Sequence, residues 1–148
     1  MKKTIPFLLL LGVLLSGCTR KSAVADYRVV PLPQEIVLTH EQGFTLTGGT
    51  PIVYLGDASM QRNADLLAEY IKEKSALDLS VSAEQLPGAI TLAVDTAIAN
   101  PEGYRLVVSA DGVTITGASP AGVFYGMQTL RKALPVVQGN ALRRVCMP

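Results

Sequence analysis

The stretch Gly103–Pro135, GYRLVVSADGVTITGASPAGVFYGMQTLRKALP, constrains this chain more than any other. Two alternating apolar runs, Gly103–Ser109 and Val113–Thr116, flank Ala110-Asp111-Gly112. An Asp-Gly step supplies the backbone conformation of a tight hairpin turn, so the two runs are expected to pair as antiparallel strands. A helix follows at once. Ser119 is its expected N-cap and Pro120 its first helical residue, where the missing N–H leaves no bond unmade. Val123, Met127, Leu130 and Leu134 recur at helical spacing. Arg131 and Lys132 fall in the last turn, where they complement the helix dipole, and Pro135 stops the helix.

Gly122 and Gly126 lie one turn apart inside that helix, and each costs about 1 kcal/mol relative to alanine. Together they strip side chains from one face. The expected reason is close approach of the helix backbone to a neighbour, the sheet in the first place and a further domain in the second. The stretch therefore reads as packing and not as a site.

Upstream the pattern is similar. Two prolines keep Val29–Pro33 extended. Strands are expected at Glu35–Thr39, Phe44–Thr47 and Pro51–Leu55, with turns at Gly43 and Gly48-Gly49. A second helix is expected over Met60–Lys74, capped by Ser59, with Ala64, Leu67, Tyr70 and Ile71 on one face. Ala89–Val94 reads as a buried strand. Strands, helix, strands, helix in this order predict an α+β fold, a mainly antiparallel sheet with two helices packed on one face.

The N-terminus has a different character. Lys2 and Lys3 precede the apolar run Ile5–Leu15, which is too short to span a bilayer. Leu15-Ser16-Gly17-Cys18 then resembles the bacterial lipoprotein box. The resemblance implies cleavage of a signal peptide at 1–17, lipidation of Cys18, and a membrane as partner. It implies an exported, lipid-anchored protein facing the periplasm or cell surface, with the outer membrane as destination because Thr19 and no aspartate follows the cysteine. Residues 18–28, small and polar, read as a tether. With Cys18 acylated, Cys146 has no partner for an intrachain disulfide.

Several chemistries are missing. The net charge is +1 and two of the positive charges belong to the leader, which leaves no electrostatic footprint for nucleic acid. Asp65 and Glu69, spaced i,i+4, read as a solvated helix face and not as an acid/base pair. The single histidine, His40, sits in a turn beside Glu41 with no second ligand near it in sequence. Neither a phosphate loop nor a nucleophile elbow is present, and there is no tryptophan to offer a face to a sugar ring. No cofactor is expected.

Two motifs do carry a resemblance. Glu102, Tyr104 and Leu106 form an E-x-Y-x-L strand, and Gly122, Tyr125, Gly126, Gln128, Thr129 and Leu130 form a G-x-x-Y-G-x-Q-T-L helix. With the opening VVPLPQEI they resemble the N-terminal accessory domain of glycoside hydrolase family 20, the β-N-acetylhexosaminidases, over about residues 29–137. The resemblance implies an exo-acting, retaining enzyme in which the substrate's own acetamido group attacks the anomeric carbon, without metal or nucleotide. It places the catalytic aspartate and glutamate in a (β/α)8 barrel that follows the accessory domain. No Asp-Glu dipeptide occurs in this chain, so no catalytic residue is carried over. Near Ala141 the sequence departs from the family's usual continuation, and 138–148 is read as a divergent or truncated tail, with the barrel absent. The alternative is a standalone surface lipoprotein that binds a glycan or a partner protein.

Overall fold

The computed structural model describes residues 23–37, 43–136 and 144–148. The expected signal peptide, Cys18 and His40 lie outside the described residues. Ten elements follow in order: β1 (Ala23–Val24), β2 (Phe44–Thr47), β3 (Ile52–Tyr54), α1 (Ala58–Ser75), β4 (Val81–Ser82), β5 (Ile90–Val94), β6 (Tyr104–Ser109), β7 (Gly112–Gly117), α2 (Pro120–Ala133) and β8 (Arg144–Met147). The fold is α+β, as the sequence predicts.

Five strands form the main sheet in the order β4-β3-β5-β7-β6. The Asp-Gly hairpin forms in the expected register, with Ser109 opposite Gly112 and Tyr104 opposite Gly117. Gly112 holds φ +150°, and a Cβ there would lie 2.5 Å from the carbonyl oxygen of Ala89, so the turn needs glycine twice over. The rest of this sheet corrects the expectation of mainly antiparallel pairing: β3–β4, β3–β5 and β5–β7 are all parallel. The physical reason is the connection. A helix between strands returns the chain to the starting end of the sheet, and α1 does this after β3. The β6–β7 hairpin then steps to the far edge and returns β7 beside β5.

One face of the sheet is covered. Ile90, Leu92, Val113 and Ile115 are buried, whereas Thr91 and Thr114 between them are not, which is the period-2 alternation of a half-covered sheet. Met60, Ala64, Leu67 and Ile71 of α1 and Val123, Met127 and Leu130 of α2 close that core. The two helices also meet each other. Asn63 Nδ2 donates to the carbonyl oxygen of Pro120 at 2.9 Å, and the Arg131 guanidinium lies 4.2 Å from the centre of the Tyr70 ring. Asp65 and Glu69 are exposed.

Details of the ends differ from expectation. Asp57, not Ser59, is the N-cap of α1: its carboxylate accepts from the Ser59 hydroxyl and from the Ser59 N–H, the latter at 2.8 Å, and these bonds, the hydroxyl's first, hold that carboxyl below its usual range. Both residue types cap helices, and two of them spaced i,i+2 leave the sequence ambiguous. α1 ends at Ser75, followed by Ala76 with φ 56°. Glu35–Val37, the described part of the expected strand Glu35–Thr39, is not in a strand.

The largest difference is a second sheet in the order β1-β8-β2. β1 pairs parallel with β8 (Ala23 with Val145) and β2 pairs antiparallel with it (Phe44 with Met147). Residues 23–24, read as tether, are thus paired, and the Asp26 N–H donates to the Ala133 carbonyl at 2.8 Å. Residues 144–147, read as divergent tail, form the central strand, with Val145 and Met147 buried in the same core as Leu46 and Ile115.

Candidate functional site

The motif residues converge on the contact between α2 and the β6–β7 hairpin. A Cβ on Gly126 would lie 2.5 Å from Ile115 Cγ2 and 3.1 Å from Tyr104 Cδ2. One on Gly122 would run into the carbonyl oxygen of Gly103. Both glycines therefore face the sheet, and the helix lies on the hairpin at backbone distance. Tyr104 on β6 and Thr129 on α2 join their hydroxyls at 2.6 Å across this contact. Ser119 accepts from the Gly122 N–H at 3.3 Å and donates to the Pro101 carbonyl at 2.7 Å, so the helix cap is tied to the loop that starts β6. Leu130 is fully buried beneath. The two motifs found in the sequence are one packing unit.

The other side of α2 is open. Tyr125 is 41% exposed and meets Phe124 edge to face, with centroids 6.0 Å apart. Together with the extended arm from Tyr27 to Val37 and with β6, this side encloses a groove of about 1150 Å3. Lys132 Nζ donates to the Val30 carbonyl and fastens the arm to the helix. Leu32, Ile36, Val37 and Val107 present exposed apolar side chains along the groove. Tyr27 and Gln128 border it, and their Oη and Nε2 atoms are buried with no hydrogen-bond partner among the described residues. Burial pushes the Tyr27 hydroxyl up to about 12. Nothing in the sequence marked this groove, because it is assembled from segments about a hundred residues apart.

Chemically the arrangement packs. Among the described residues no three His, Cys, Asp or Glu side chains gather as metal ligands would. The Asp26 carboxyl, lowered to about 2 by its paired hydrogen bonds with Arg28, sits on the surface. Cys146 is a free, half-buried thiol on β8.

Comparison with known proteins agrees with the packing motif. The family model described as glycosyl hydrolase family 20, domain 2, matches residues 26–146, and so runs through Ala141 into β8. A beta-hexosaminidase of Porphyromonas gingivalis (strain ATCC BAA-308 / W83) is 32% identical over 131 residues, which is 82% of this chain and 17% of that protein. Among solved structures, the family 20 β-N-acetylhexosaminidase of Streptomyces coelicolor A3(2) superposes with a TM-score of 0.69 at 31% identity, over 81% of this chain and 25% of that one. The Streptomyces plicatus N-acetyl-beta-hexosaminidase in complex with Thio-NAglucal gives a TM-score of 0.70 with the same identity and coverage. This chain thus spans a quarter or less of the relatives it matches. Since the family model covers most of the chain, and does so through the strand, hairpin and helix just described, the chain belongs to glycosyl hydrolase family 20 by its domain 2.

Proposed function

We propose that this chain is the non-catalytic N-terminal domain of an exported, lipid-anchored β-N-acetylhexosaminidase. The family match across residues 26–146 supports the hexosaminidase part of the reading, because it spans both helices and the Tyr104–Thr129 contact, and the Cys18 box supports the anchor. The relatives named above are all hexosaminidases, which supports this reading over a standalone binding module. In this reading, hydrolysis of terminal N-acetylhexosamine residues is the work of a domain that follows. The residues of this chain build the platform, and those of the catalytic domain hold the acetamido group and move the proton. No cofactor takes part.

Three experiments test the reading. Translation continued downstream of codon 148 is expected to meet an Asp-Glu pair within a barrel-sized domain. A stop with no such domain in any frame sinks the proposal. The purified 148-residue chain is expected to release no chromophore from an aryl N-acetyl-β-glucosaminide, since it lacks the pair of groups that orient the acetamide and protonate the leaving oxygen. Turnover that survives removal of contaminating enzymes overturns that part. For the anchor, Cys18→Ala is expected to leave the precursor uncut or to release the protein from membranes. A variant processed and retained like the parent removes the lipoprotein assignment.

A further inference from the structure

We propose that the end of the domain where the tether joins β1 is a face for an anionic lipid surface. The inference rests on the anchored reading above and deepens it by fixing which side of the domain the membrane meets. Four residues, Thr19–Ser22, separate Cys18 from Ala23, and Ala23 is already held in a sheet beside Val145. Fully extended, that connection reaches at most about 18 Å. A domain of this length has a radius of gyration of about 14 Å and so is about 35 Å across. A lipid on Cys18 therefore keeps the start of β1 within about half a domain width of the headgroups, and the opposite end cannot turn to meet them.

The topology decides what else lies at that end. β3, β5 and β7 run parallel, so α1 and α2, which follow β3 and β7, both run back and end where those strands begin. Arg131 of α2 lies 3.6 Å from Glu73 of α1, last turn against last turn. Arg144 stands opposite Thr47, one short uncharged turn before β3, so β8 and β1 also start at this end. All four lysines that follow the leader are here: Lys21 on the tether, Lys72 and Lys74 in the last turn of α1, and Lys132 in that of α2. Arg20 on the tether and Arg144 join them. Basic last turns answer the helix dipole in many proteins. Two of them set beside a basic tether and Arg144 make a surface that lipid phosphates can read, since each basic side chain held near an anionic leaflet strengthens binding about fivefold. Of the carboxylates at this end, Asp26, Glu73 and Asp78 are each paired with a cation, and Asp111 in the β6–β7 turn has no such partner among the described residues. The far end has the reverse balance, with Asp57, Asp95 and Glu102 set against Arg62 and Arg105.

Chemical labelling of the acylated protein on vesicles tests the face. The vesicles are phosphatidylcholine alone or phosphatidylcholine with one part in about three of phosphatidylglycerol, which supplies the negative surface potential. Acetylation of Lys72 and Lys74, read by mass spectrometry, is expected to fall at least about threefold on the anionic vesicles relative to the neutral ones. It is expected to recover in about 1 M salt, where the screening length is about 3 Å. Phenylglyoxal modification of Arg62 and Arg105, at the far end, is expected to be the same on both. The double variant Arg20→Glu, Lys21→Glu, placed ahead of the first strand, is expected to lose most of the lysine protection. Equal acetylation on the two vesicles in a protein shown to be acylated overturns the face and leaves the anchor standing. So does protection that survives the double variant, or that falls on Arg62 instead of Lys72. Protection that grows with protein concentration in detergent assigns this end to a second copy and overturns the proposal. A protein recovered from cells with no acyl mass on Cys18 overturns the anchor and the face together.

Discussion

The two sheets are built on opposite plans. The five-stranded sheet is built between Ile52 and Gly117, and its longest pairing in sequence joins Ile52 to Ile90. The three-stranded sheet takes its strands from the two ends of the domain, with Ala23 beside Val145. The first is local enough for short-range signals to specify. The second depends on loop closure over more than a hundred residues, whose entropy only the packing of its side chains offsets. Yet the two share one core, for Leu46, Val145 and Met147 pack in the same cluster as Ile90 and Leu92. Distance along the chain and depth of burial are therefore separate properties, and Val145 and Met147 are as deeply buried as Ile90 and Leu92.

The sharpest way to break this comparison is Met147→Ala. Met147 is 1% exposed at the end of β8, and truncation there is expected to destabilise by about 2–5 kcal/mol. If the sheets form one cooperative unit, chemical denaturation shows a single transition moved to lower denaturant. A variant that loses β8 while the main sheet unfolds at its original midpoint shows that the small sheet is an independent flap.

Next in size is Gly126→Leu, which probes the main sheet. Overpacking is expected to cost about 1–3 kcal/mol against Ile115 and Tyr104, less up to about 1 kcal/mol recovered from helix propensity. Since the contact lies within this chain, the 148-residue protein itself should unfold earlier. An unchanged or raised midpoint would falsify the close approach.

The smallest effect is one of pH. Tyr27 bridges the two plans, sitting on the arm between β1 and β2. Its folded pKa of about 12 lies above the ordinary value of 10.0 because burial disfavours the phenolate. Between these values the unfolded chain gives up the proton and the folded one keeps it, so stability is expected to fall as pH rises through this window. Tyr27→Phe should flatten that part of the pH profile. An identical decline in the variant means another group is responsible.

What the sequence revealed follows the same division. The hairpin and α2 were legible because Asp-Gly, Ser-Pro and the apolar stripe all act within a few residues of themselves. The face of the two glycines was legible as a need for space, but only the structure identifies Gly103, Tyr104 and Ile115 as what fills it. Parallel pairing was missed because strand direction is a property of connections, and α1 was read for its stripe and not as a crossover. β8 was missed for another reason. ALRRVCMP departs from the expected family text, whereas the alternation that buries Val145 and Met147 around Cys146 is present in it. The groove left no trace in sequence, since its walls come from the Tyr27–Val37 arm, β6 and α2, segments far apart along the chain.

The parallel pairing of β1 with β8 also has a mechanical meaning. Force applied through the chain before Ala23 and through the chain after Met147 pulls these two strands in opposite directions along their common axis. Parallel neighbours loaded in this way slide, and their hydrogen bonds, among them the 2.8 Å bond from the Ala25 N–H to the Cys146 carbonyl, take the strain together. An antiparallel pair loaded at the corresponding ends would instead unzip one bond at a time. The domain thus meets a pull between its two ends in shear, with the contact between its termini bearing the load first and shielding the helices behind it.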